Sequence, residues 1–341
     1  MKNKKIVITG GSGFIGGEVI AAAEEIGYRI GVLDMKEPAA KVQFEFTDIT
    51  SKDSVKDSMG RMSNRLGGID AVIHLAALFN YSAPVEALHK VNVRGTENVI
   101  SEAIVHGVKR FINLGAVAEY GDSYRGMIRE DFELDPNENY GLTKMLAEEA
   151  IFRAHKEGHF QAITFRPCMV YGNNTEGTYI DALFKMAEGL IAPTLLEETR
   201  NSYIHAIDIG RACVHALETD GVFQNDVENL SDIAYNVGDD DIMSEVEVLR
   251  YLTQITPGRS LVLPIMPAAL MRGLAAIVEP IEIGLLGKDR STLAKDMAKH
   301  FDGDHMIDNT RFKETGFEYA VPTVKVGFPM VLEYQQRALN R

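Results

Sequence analysis

The chain has 341 residues, of which 45% are hydrophobic and 25% charged, with 30 glycines, 11 prolines and two cysteines. This length fits one large domain, or one domain with a smaller lobe. Its 35 basic and 49 acidic side chains give a net charge of −14, which argues against a general nucleic-acid binder, because such proteins need a basic surface. Cys168 and Cys213 cannot form a disulfide framework, so we expect two small core side chains in the reducing cytoplasm.

No segment has the pattern of a membrane span or a signal peptide. The first apolar run, residues 6–8, is too short for a signal-peptide core. The most apolar stretch, residues 261–287, is interrupted by Arg272, Glu279, Glu282 and three prolines. We expect it to be buried or to line a substrate site, with a membrane-touching surface as the alternative.

The first half of the chain alternates short β-branched runs with longer helical patterns, which predicts a doubly wound, Rossmann-like parallel sheet of the α/β class. The predicted strands are 5–9, 29–34, 42–46, 71–75, 110–114 and 162–166, and the predicted helices are 15–27, 54–66, 85–106 and 140–158.

After Pro167 this alternation stops, which divides the chain unequally. We predict a dinucleotide-binding domain at 1–172, to which 201–240 return with a strand at 234–237. Residues 173–200 and 241–341 are predicted to form mainly a smaller, discontinuous C-terminal substrate lobe. Ligands of such sheets bind outside the carboxyl ends of the strands.

Residues 9–16 read TGGSGFIG, directly after the first strand and at the start of the first helix. Gly10 allows a tight turn, Gly13 a close approach of backbone amides to a pyrophosphate, and Gly16 close packing of helix on strand. Asp34 ends the second strand, where an acid accepts from ribose hydroxyls and repels a 2′-phosphate. The pattern therefore predicts NAD as the cofactor, with NADP as a minority alternative because Lys36 is near.

Several segments, in order and spacing, resemble the extended short-chain dehydrogenases/reductases, also called the NAD-dependent epimerase/dehydratase family. They are TDIT at 47–50, DAVIHLAA at 70–77, NVRGTENV at 92–99, RPCMVYG at 166–172, SYIHAIDIGRA at 202–212 and YNVG at 235–238. The resemblance implies an adenine contact by Asp48. It also implies further cofactor contacts by Phe14, Ile15, Ile49, Leu75, Ala76, Ala77, Asn92, Lys144 and Pro167.

Tyr140 and Lys144 form the YxxxK pair of this family, and a spacing of four puts both on one face of a helix. A free tyrosine has a pKa near 10, too high for a base at neutral pH. A neighbouring ammonium and a positive nicotinamide ring would lower it. We expect Tyr140 to exchange a proton with the substrate oxygen, and Lys144 to assist it and to bind the ribose.

The family's third catalytic group, a Ser or Thr hydroxyl, is missing. In LGAVAEYG at 114–121 its position is held by Ala116, preceded by Gly115. Three interpretations remain: another donor, Ser82 or Tyr81, replaces it; the reaction is slow or uses the substrate's own groups; or the chain binds the cofactor with weakened catalysis.

The substrate-side segments favour an apolar ligand. Val117 and Ala118 stand where dehydratases have Asp-Glu, and Glu119 is one position out. Met169 replaces an Asn that contacts the diphosphate in epimerases. Arg200 lies one residue away from the position of the arginine that binds the diphosphate in that family. The C-terminal part resembles the branch of 3β-hydroxysteroid dehydrogenases and dihydroflavonol reductases.

His74, His205 and Asp208 are expected to have structural roles. His74 is expected at a strand end, and His205 and Asp208 are expected to fix a strand-to-helix connection. No HxH or HExxH spacing occurs, so no metal site is predicted.

The leading hypothesis is an NAD-dependent oxidoreductase acting on a secondary alcohol or ketone of an apolar small molecule. A nucleotide-sugar epimerase with tightly bound NAD and an NAD-binding protein without full activity are the alternatives. The resemblance implies a homodimer formed through helices 85–106 and 140–158.

Overall fold

The computed structural model describes residues 3–122, 124, 126–173, 179–196, 199–258, 260–291, 295, 298–299 and 303–339. Within them a seven-stranded parallel sheet has the order β11-β7-β5-β4-β1-β2-β3. Its strands are β1 Lys5–Thr9, β2 Arg29–Asp34, β3 Gln43–Phe46, β4 Ala71–His74, β5 Arg110–Leu114, β7 Gln161–Pro167 and β11 Ala234–Val237. The strand order reverses between β1 and β4, which opens a crevice at their carboxyl ends.

Helices cover both faces of this sheet. They are α1 Phe14–Glu25, α2 Lys52–Leu66, α3 Val85–Leu88, α4 Thr96–Val105, α5 Asn139–Lys156 and α7 Ala206–Glu218. A π-helical segment, His89–Gly95, joins α3 to α4. Alternate residues of β1 point to opposite faces, so Ile6 and Ile8 pack with α1 and α7, and Val7 packs with α2, α4 and α5. This confirms the predicted doubly wound sheet, with helix and strand ends within about two residues of those predicted.

The remaining elements form the smaller lobe and its connections. Strands β8 Met169–Tyr171, β10 Arg200–His205 and β12 Ile242–Ser244 make one small sheet, β9 Ile191–Leu195 and β13 Leu261–Met266 a second, and β6 Met127–Ile128 and β14 Met306–Ile307 a third. The helices are α6 Tyr179–Glu188, α8 Glu245–Ile255, α9 Ala268–Pro280, α10 Thr310–Lys313 and α11 Val324–Leu339. A core shared by α6, α8 and α11 centres on Phe328, which is buried between Tyr171 and Phe184.

The C-terminal segment does not belong wholly to this lobe. Phe312 of α10 packs edge-on against Phe165 of β7, with ring centroids 5.0 Å apart, and lies in the core of the large sheet. The carboxylate of Asp208 accepts hydrogen bonds from the N–H groups of Ala320 and Val321 at 2.7 and 2.9 Å. Residues 306–321 therefore return to the dinucleotide-binding half, because the Phe165 ring and the buried acid Asp208 of that half fix them.

Asp208 accordingly has a different role from the one predicted for it. His205 caps α7 by accepting from the N–H of Ile207 at 3.1 Å, as expected for a strand-to-helix connection. Asp208 holds the C-terminal segment instead. No helix in the described ranges combines the length and apolar composition that a membrane span requires.

The glycines of the first turn provide a test of this packing. A Cβ on Gly16 would lie 2.5 Å from the carbonyl oxygens of Gly10 and Gly11, whereas a Cβ on the adjacent Gly17 would meet nothing within 4 Å. We expect Gly16→Ala to destabilise the fold by about 1–3 kcal/mol. The matched Gly17→Ala should be neutral or stabilising by up to about 1 kcal/mol. Urea unfolding of both variants measures the difference, and equal stabilities would contradict the close helix–strand contact.

Candidate active site

A cavity of about 410 Å³ opens at the carboxyl ends of β1, β4, β5 and β7, in the crevice where the strand order reverses. Its walls come from the β1–α1 turn, the loops after β4, β5 and β7, the first two turns of α5, the start of α6 and His305. Ten of the predicted site residues line it: Gly10, Gly13, Phe14, Ile15, Gly16, Leu75, Ala77, Tyr140, Lys144 and Pro167.

The glycine turn approaches the β4 loop too closely for any side chain. Gly10 has φ +72°, and a Cβ there would lie 2.6 Å from the backbone nitrogen of Ala76. Gly13 precedes α1 in an extended conformation, and no side chain caps the amides of the first turn. Exposed helix amides next to a turn without side chains suit the pyrophosphate of a dinucleotide. The residues present therefore fit NAD.

Five predicted cofactor residues, Asp34, Asp48, Ile49, Ala76 and Asn92, do not line this cavity. Asp34 ends β2, beside the glycine turn, and its carboxylate accepts from the N–H of Ser12 at 3.0 Å. Asp48 follows β3, which β1 and β2 separate from β4, and its carboxylate accepts from the N–H and the hydroxyl of Thr50. These positions lie toward the β2–β3 side of the sheet, where the far end of an extended dinucleotide would reach.

Asn92 acts through the backbone of the β4 loop. Its Oδ1 accepts from the N–H of Leu78 at 2.7 Å, and its Nδ2 donates to the Leu78 carbonyl and to Thr143 Oγ1. Asn92 is 1% exposed and sits within the π-helical segment. Asn92 therefore fixes the loop that carries Phe79 and Tyr81 against α5. Its contact on that helix is Thr143, which directly precedes Lys144.

Tyr140 and Lys144 occupy the first two turns of α5 and face the cavity together. Glu138 caps this helix, because its carboxylate accepts from the N–H groups of Tyr140 and Gly141 at 2.6 Å. The Tyr140 ring packs edge-on against Phe79 and Tyr81, with centroids 5.0 and 5.8 Å away. The Glu138 cap at the start of α5 and two aromatic rings of the cavity wall thus fix the position of Tyr140.

The electrostatics of this pair differ from the expectation. Burial, followed by the charges of Glu138 and Glu119, raises the pKa of Tyr140 above its ordinary value. Burial lowers the pKa of Lys144, while Glu119 and Glu148 oppose that shift. Desolvation of the phenolate is therefore the largest influence on the pKa of Tyr140 in the protein itself.

Ala116 lines the cavity at the position where the family hydroxyl would stand, and its backbone is held by Glu119. The Ala116 N–H donates to Glu119 Oε1 at 2.8 Å. A Cβ on Gly115 would lie 2.7 Å from that same oxygen, so the glycine and the buried acid belong to one packing arrangement. The segment GAVAE thus lacks the hydroxyl, and its buried Glu119 side chain fixes the backbone of Ala116.

Glu119 belongs to a buried charged cluster with Glu148 and Arg166. Arg166 donates to both oxygens of Glu148, at 2.5 and 3.1 Å, and its Nε lies 3.8 Å from Glu119 Oε2. Burial, and next the charge of Glu148, raise the pKa of Glu119 well above its ordinary value although Arg166 opposes them. One cation cannot stabilise two buried carboxylates equally, so the pKa of Glu119 is raised despite its neighbour Arg166.

His74, Cys168 and Cys213, which were predicted to be structural, are all buried. His74 is 2% exposed and bonds the hydroxyls of Thr9 and Thr96 at 2.6 and 2.9 Å, as expected for a strand-end histidine. Both cysteines are buried and free. Cys213 lies in the core of the large sheet, whereas Cys168 also lines the cavity.

The substrate end of the cavity contains residues that the sequence did not identify. Phe79, Tyr179, Ile180 and His305 line it together with Met169. His305 is buried and bonds Asp122 through Nε2 at 2.7 Å. Distant segments of the chain supply these residues, and no local spacing could have linked them.

Glu119 generates a pH prediction. The folded state holds its proton more tightly than the unfolded chain does, so its contribution to stability is full below about pH 4.5 and is lost as the pH rises through the folded pKa. Glu119→Gln keeps the hydrogen bond from Ala116 without the titration. We expect its stability to fall less steeply between pH 5 and 8, by up to about 1.4 kcal/mol per pH unit. Urea unfolding across this range measures the slopes, with exposed Glu133→Gln as control. Parallel slopes for wild type and Glu119→Gln would contradict the raised pKa of Glu119.

Comparisons with known proteins agree with this architecture. The sequence profile of the NAD dependent epimerase/dehydratase family matches residues 6–238. A Thermus thermophilus UDP-glucose 4-epimerase, solved in complex with NAD, superposes with a TM-score of 0.74 over 98% of this chain and 99% of its own, at 19% identity.

Two curated relatives differ in what their names state. The N-acetyl-alpha-D-glucosaminyl-diphospho-ditrans,octacis-undecaprenol 4-epimerase of Escherichia coli O157:H7 is 28% identical over 55% of this chain and 55% of its own. The mouse sterol-4-alpha-carboxylate 3-dehydrogenase, decarboxylating, is 29% identical over 50% of this chain and 47% of its own. The chain thus spans about half the length of these relatives.

The profile match covers more than half of the chain, and the glycine turn and the YxxxK pair occupy one cavity. The chain belongs to the NAD dependent epimerase/dehydratase family.

Proposed function

We propose that the chain transfers hydride between NAD and a secondary alcohol or ketone of an apolar small molecule. The observation that carries this proposal is the lining of the cavity beside Tyr140. Among the described residues there, the side chains are mainly aromatic and aliphatic, and none is an arginine. Arg200, the nearest counterpart of a diphosphate ligand, instead bonds both oxygens of Glu247 at 2.8 and 3.0 Å.

The proposed binding roles follow from the glycine turn. Gly10, Gly13 and Gly16 with the first amides of α1 would hold the pyrophosphate, and Asp34 the adenosine ribose hydroxyls. Lys144 would bind the nicotinamide ribose. When bound, NAD supplies hydride acceptance or donation and, in its oxidised form, a positive ring.

Tyr140 is the proposed acid and base. For oxidation, the Tyr140 Oη removes the proton of the substrate hydroxyl as hydride leaves the carbon that bears this hydroxyl. For reduction, Tyr140 returns that proton to the carbonyl oxygen. Burial works against the phenolate. The charge of the oxidised cofactor would oppose that penalty together with Lys144, so Tyr140 acts as a base only in the complex.

Tyr81 is the proposed replacement for the missing hydroxyl. Of the two candidates, Tyr81 lines the cavity and packs on Tyr140, whereas the Ser82 hydroxyl accepts from the N–H of Ser291 at 3.1 Å and does not line it. A tyrosine hydroxyl beside the base can donate to the substrate oxygen, as the family Ser or Thr does.

A nucleotide-sugar epimerase is the second candidate, because one curated relative and the superposed structure are sugar-nucleotide or glycosyl-diphosphate epimerases by name. An epimerase returns hydride to the same substrate, so it produces no net NADH. We also propose that the protein is cytoplasmic and forms homodimers through residues 85–106 and 140–158.

Net NADH production separates the oxidoreductase from the epimerase. With a panel of hydroxysteroids, dihydroflavonols and UDP-glucose, we expect net NADH production from an apolar alcohol, monitored by absorbance. Tyr140→Phe should lower kcat by at least about 10²-fold without loss of NAD binding, and Tyr124→Phe, outside the cavity, should not. Turnover of UDP-glucose without net NADH would support the epimerase. Tighter binding of NADP than NAD would contradict the role of Asp34.

Substitutions at Tyr81 and Ala116 test which residue supplies the hydroxyl donor. Tyr81→Phe should lower kcat by about 10²-fold, and adding Ala116→Ser should restore most of that loss because it places a donor at the family position. Ala116→Ser alone serves as the control and should change kcat only a few-fold. Wild-type kcat in Tyr81→Phe would exclude Tyr81 as the donor.

A further inference from the structure

The loop that follows β4 carries two aromatic rings that pack on the catalytic tyrosine. The ring centroids of Phe79 and Tyr81 lie 5.0 and 5.8 Å from that of Tyr140, and both residues line the cavity. Asn92 holds the loop at its first end through the backbone of Leu78. The position of the Tyr81 ring therefore depends on what holds the other end of the loop.

Asn80 folds that other end into a tight turn. Its carbonyl accepts from the N–H of Ala83 at 3.1 Å, and its side-chain Oδ1 accepts from the N–H of Ser82 at 3.0 Å. An asparagine side chain that bonds the backbone two residues ahead fixes a turn locally. Tyr81 lies inside this turn, so the turn fixes the backbone from which its ring projects.

Two residues of the turn also bond a segment that lies 209 residues further along the chain. Asn80 Nδ2 donates to the carbonyl of Asp289 at 2.9 Å, and Ser82 Oγ accepts from the N–H of Ser291 at 3.1 Å. We call these two hydrogen bonds the clasp. The clasp joins the segment after α9 to the loop that carries Tyr81.

A buried carboxylate orders the far side of the clasp. Glu282 is 9% exposed, and it accepts from Ser291 Oγ at 2.8 Å and from Lys288 Nζ at 2.5 Å. The N–H of Lys288 also donates to the carbonyl of Glu282 at 3.0 Å. Residues 288–291 are thus held in the conformation that presents the Asp289 carbonyl and the Ser291 N–H to the loop.

We propose that Asn80 and Ser82 are positioning residues, which hold Tyr81 against Tyr140 by tying its loop to the segment after α9. Packing alone restrains this loop weakly, because Phe79 is 49% exposed and Tyr81 is only half-buried. Each hydrogen bond of the clasp shifts the balance between a held and a released loop by roughly two- to tenfold. That Tyr81 donates to the substrate rests on the proposed function, whereas its restraint by the clasp does not.

Two substitutions separate the clasp from the turn. Asn80→Asp keeps the oxygen that accepts within the turn, but it removes the amide that donates to Asp289. Ser82→Ala removes the acceptor for the N–H of Ser291, and Ser82→Thr retains it. Asn225→Asp is the matched control, because it adds the same charge at an exposed position that does not line the cavity.

A tryptophan in place of Tyr81 reports the restraint without turnover, because the chain contains no other tryptophan. In the Tyr81→Trp chain, we expect Asn80→Asp and Ser82→Ala each to raise the acrylamide quenching constant by about two- to threefold. Ser82→Thr and Asn225→Asp should leave it unchanged, and an unchanged Tm verifies folding. Hydrogen exchange of the loop peptide in chains that keep Tyr81 repeats the measurement without the tryptophan. Equal quenching and equal exchange in all variants would overturn the clasp.

Kinetics tests whether the clasp acts through Tyr81. Asn80→Asp should lower kcat by about fivefold with the KM for NAD unchanged. In the Tyr81→Phe background it should lower kcat by less than about twofold, because the donor is already absent. Equal losses in both backgrounds would overturn a role through Tyr81. A wild type that oxidises no alcohol would contradict the proposed function alone, since quenching and exchange decide the clasp.

Discussion

The close approach of two backbones at the reversal of strand order is the constraint on which the site depends. Gly10 meets Ala76 at a distance that leaves no room for a Cβ, and Gly16 meets the carbonyls of the same turn. This contact brings the start of α1 beside the loop after β4. It opens the crevice in which Tyr140, Lys144 and the glycine turn share one cavity. A larger residue at either glycine would separate the cofactor cradle from the catalytic pair.

A second constraint lies beneath the cavity floor. Arg166, Glu148 and Glu119 are almost wholly buried, and they connect β7, α5 and the loop after β5. Such clusters do not stabilise a fold by themselves, because desolvation offsets their attraction. Here the cluster fixes the Ala116 loop through a hydrogen bond from a backbone amide.

The sequence predicted the sheet well because buried parallel strands are short apolar runs and each is followed by a helix of recognisable period. It predicted the lining residues that belong to local motifs, such as Gly13 and Tyr140. It missed Phe79, Tyr179 and His305, since these meet only through tertiary packing. It also did not reveal that burial raises the pKa of Tyr140, because the penalty of burial cannot be read from a spacing of four residues.

The C-terminal half was predicted least well, for two physical reasons. Phe312 and Asp208 draw residues 306–321 back to the large sheet through contacts more than 100 residues apart in sequence. The apolar stretch at 261–287 was expected to be buried or to line a substrate site, yet seven of its large side chains are exposed. Composition identifies an apolar segment, but it does not show which side chains of that segment the fold buries.

The central claim is that Tyr140 serves a net hydride transfer from an apolar alcohol to NAD. It is tested most directly with a substrate alcohol that carries deuterium on the hydroxyl-bearing carbon, followed by mass spectrometry of the released cofactor. The account predicts one deuterium in the NADH, with wild type and not with Tyr140→Phe. Deuterium that remains on the substrate carbon with inverted configuration, and none in released NADH, would contradict it.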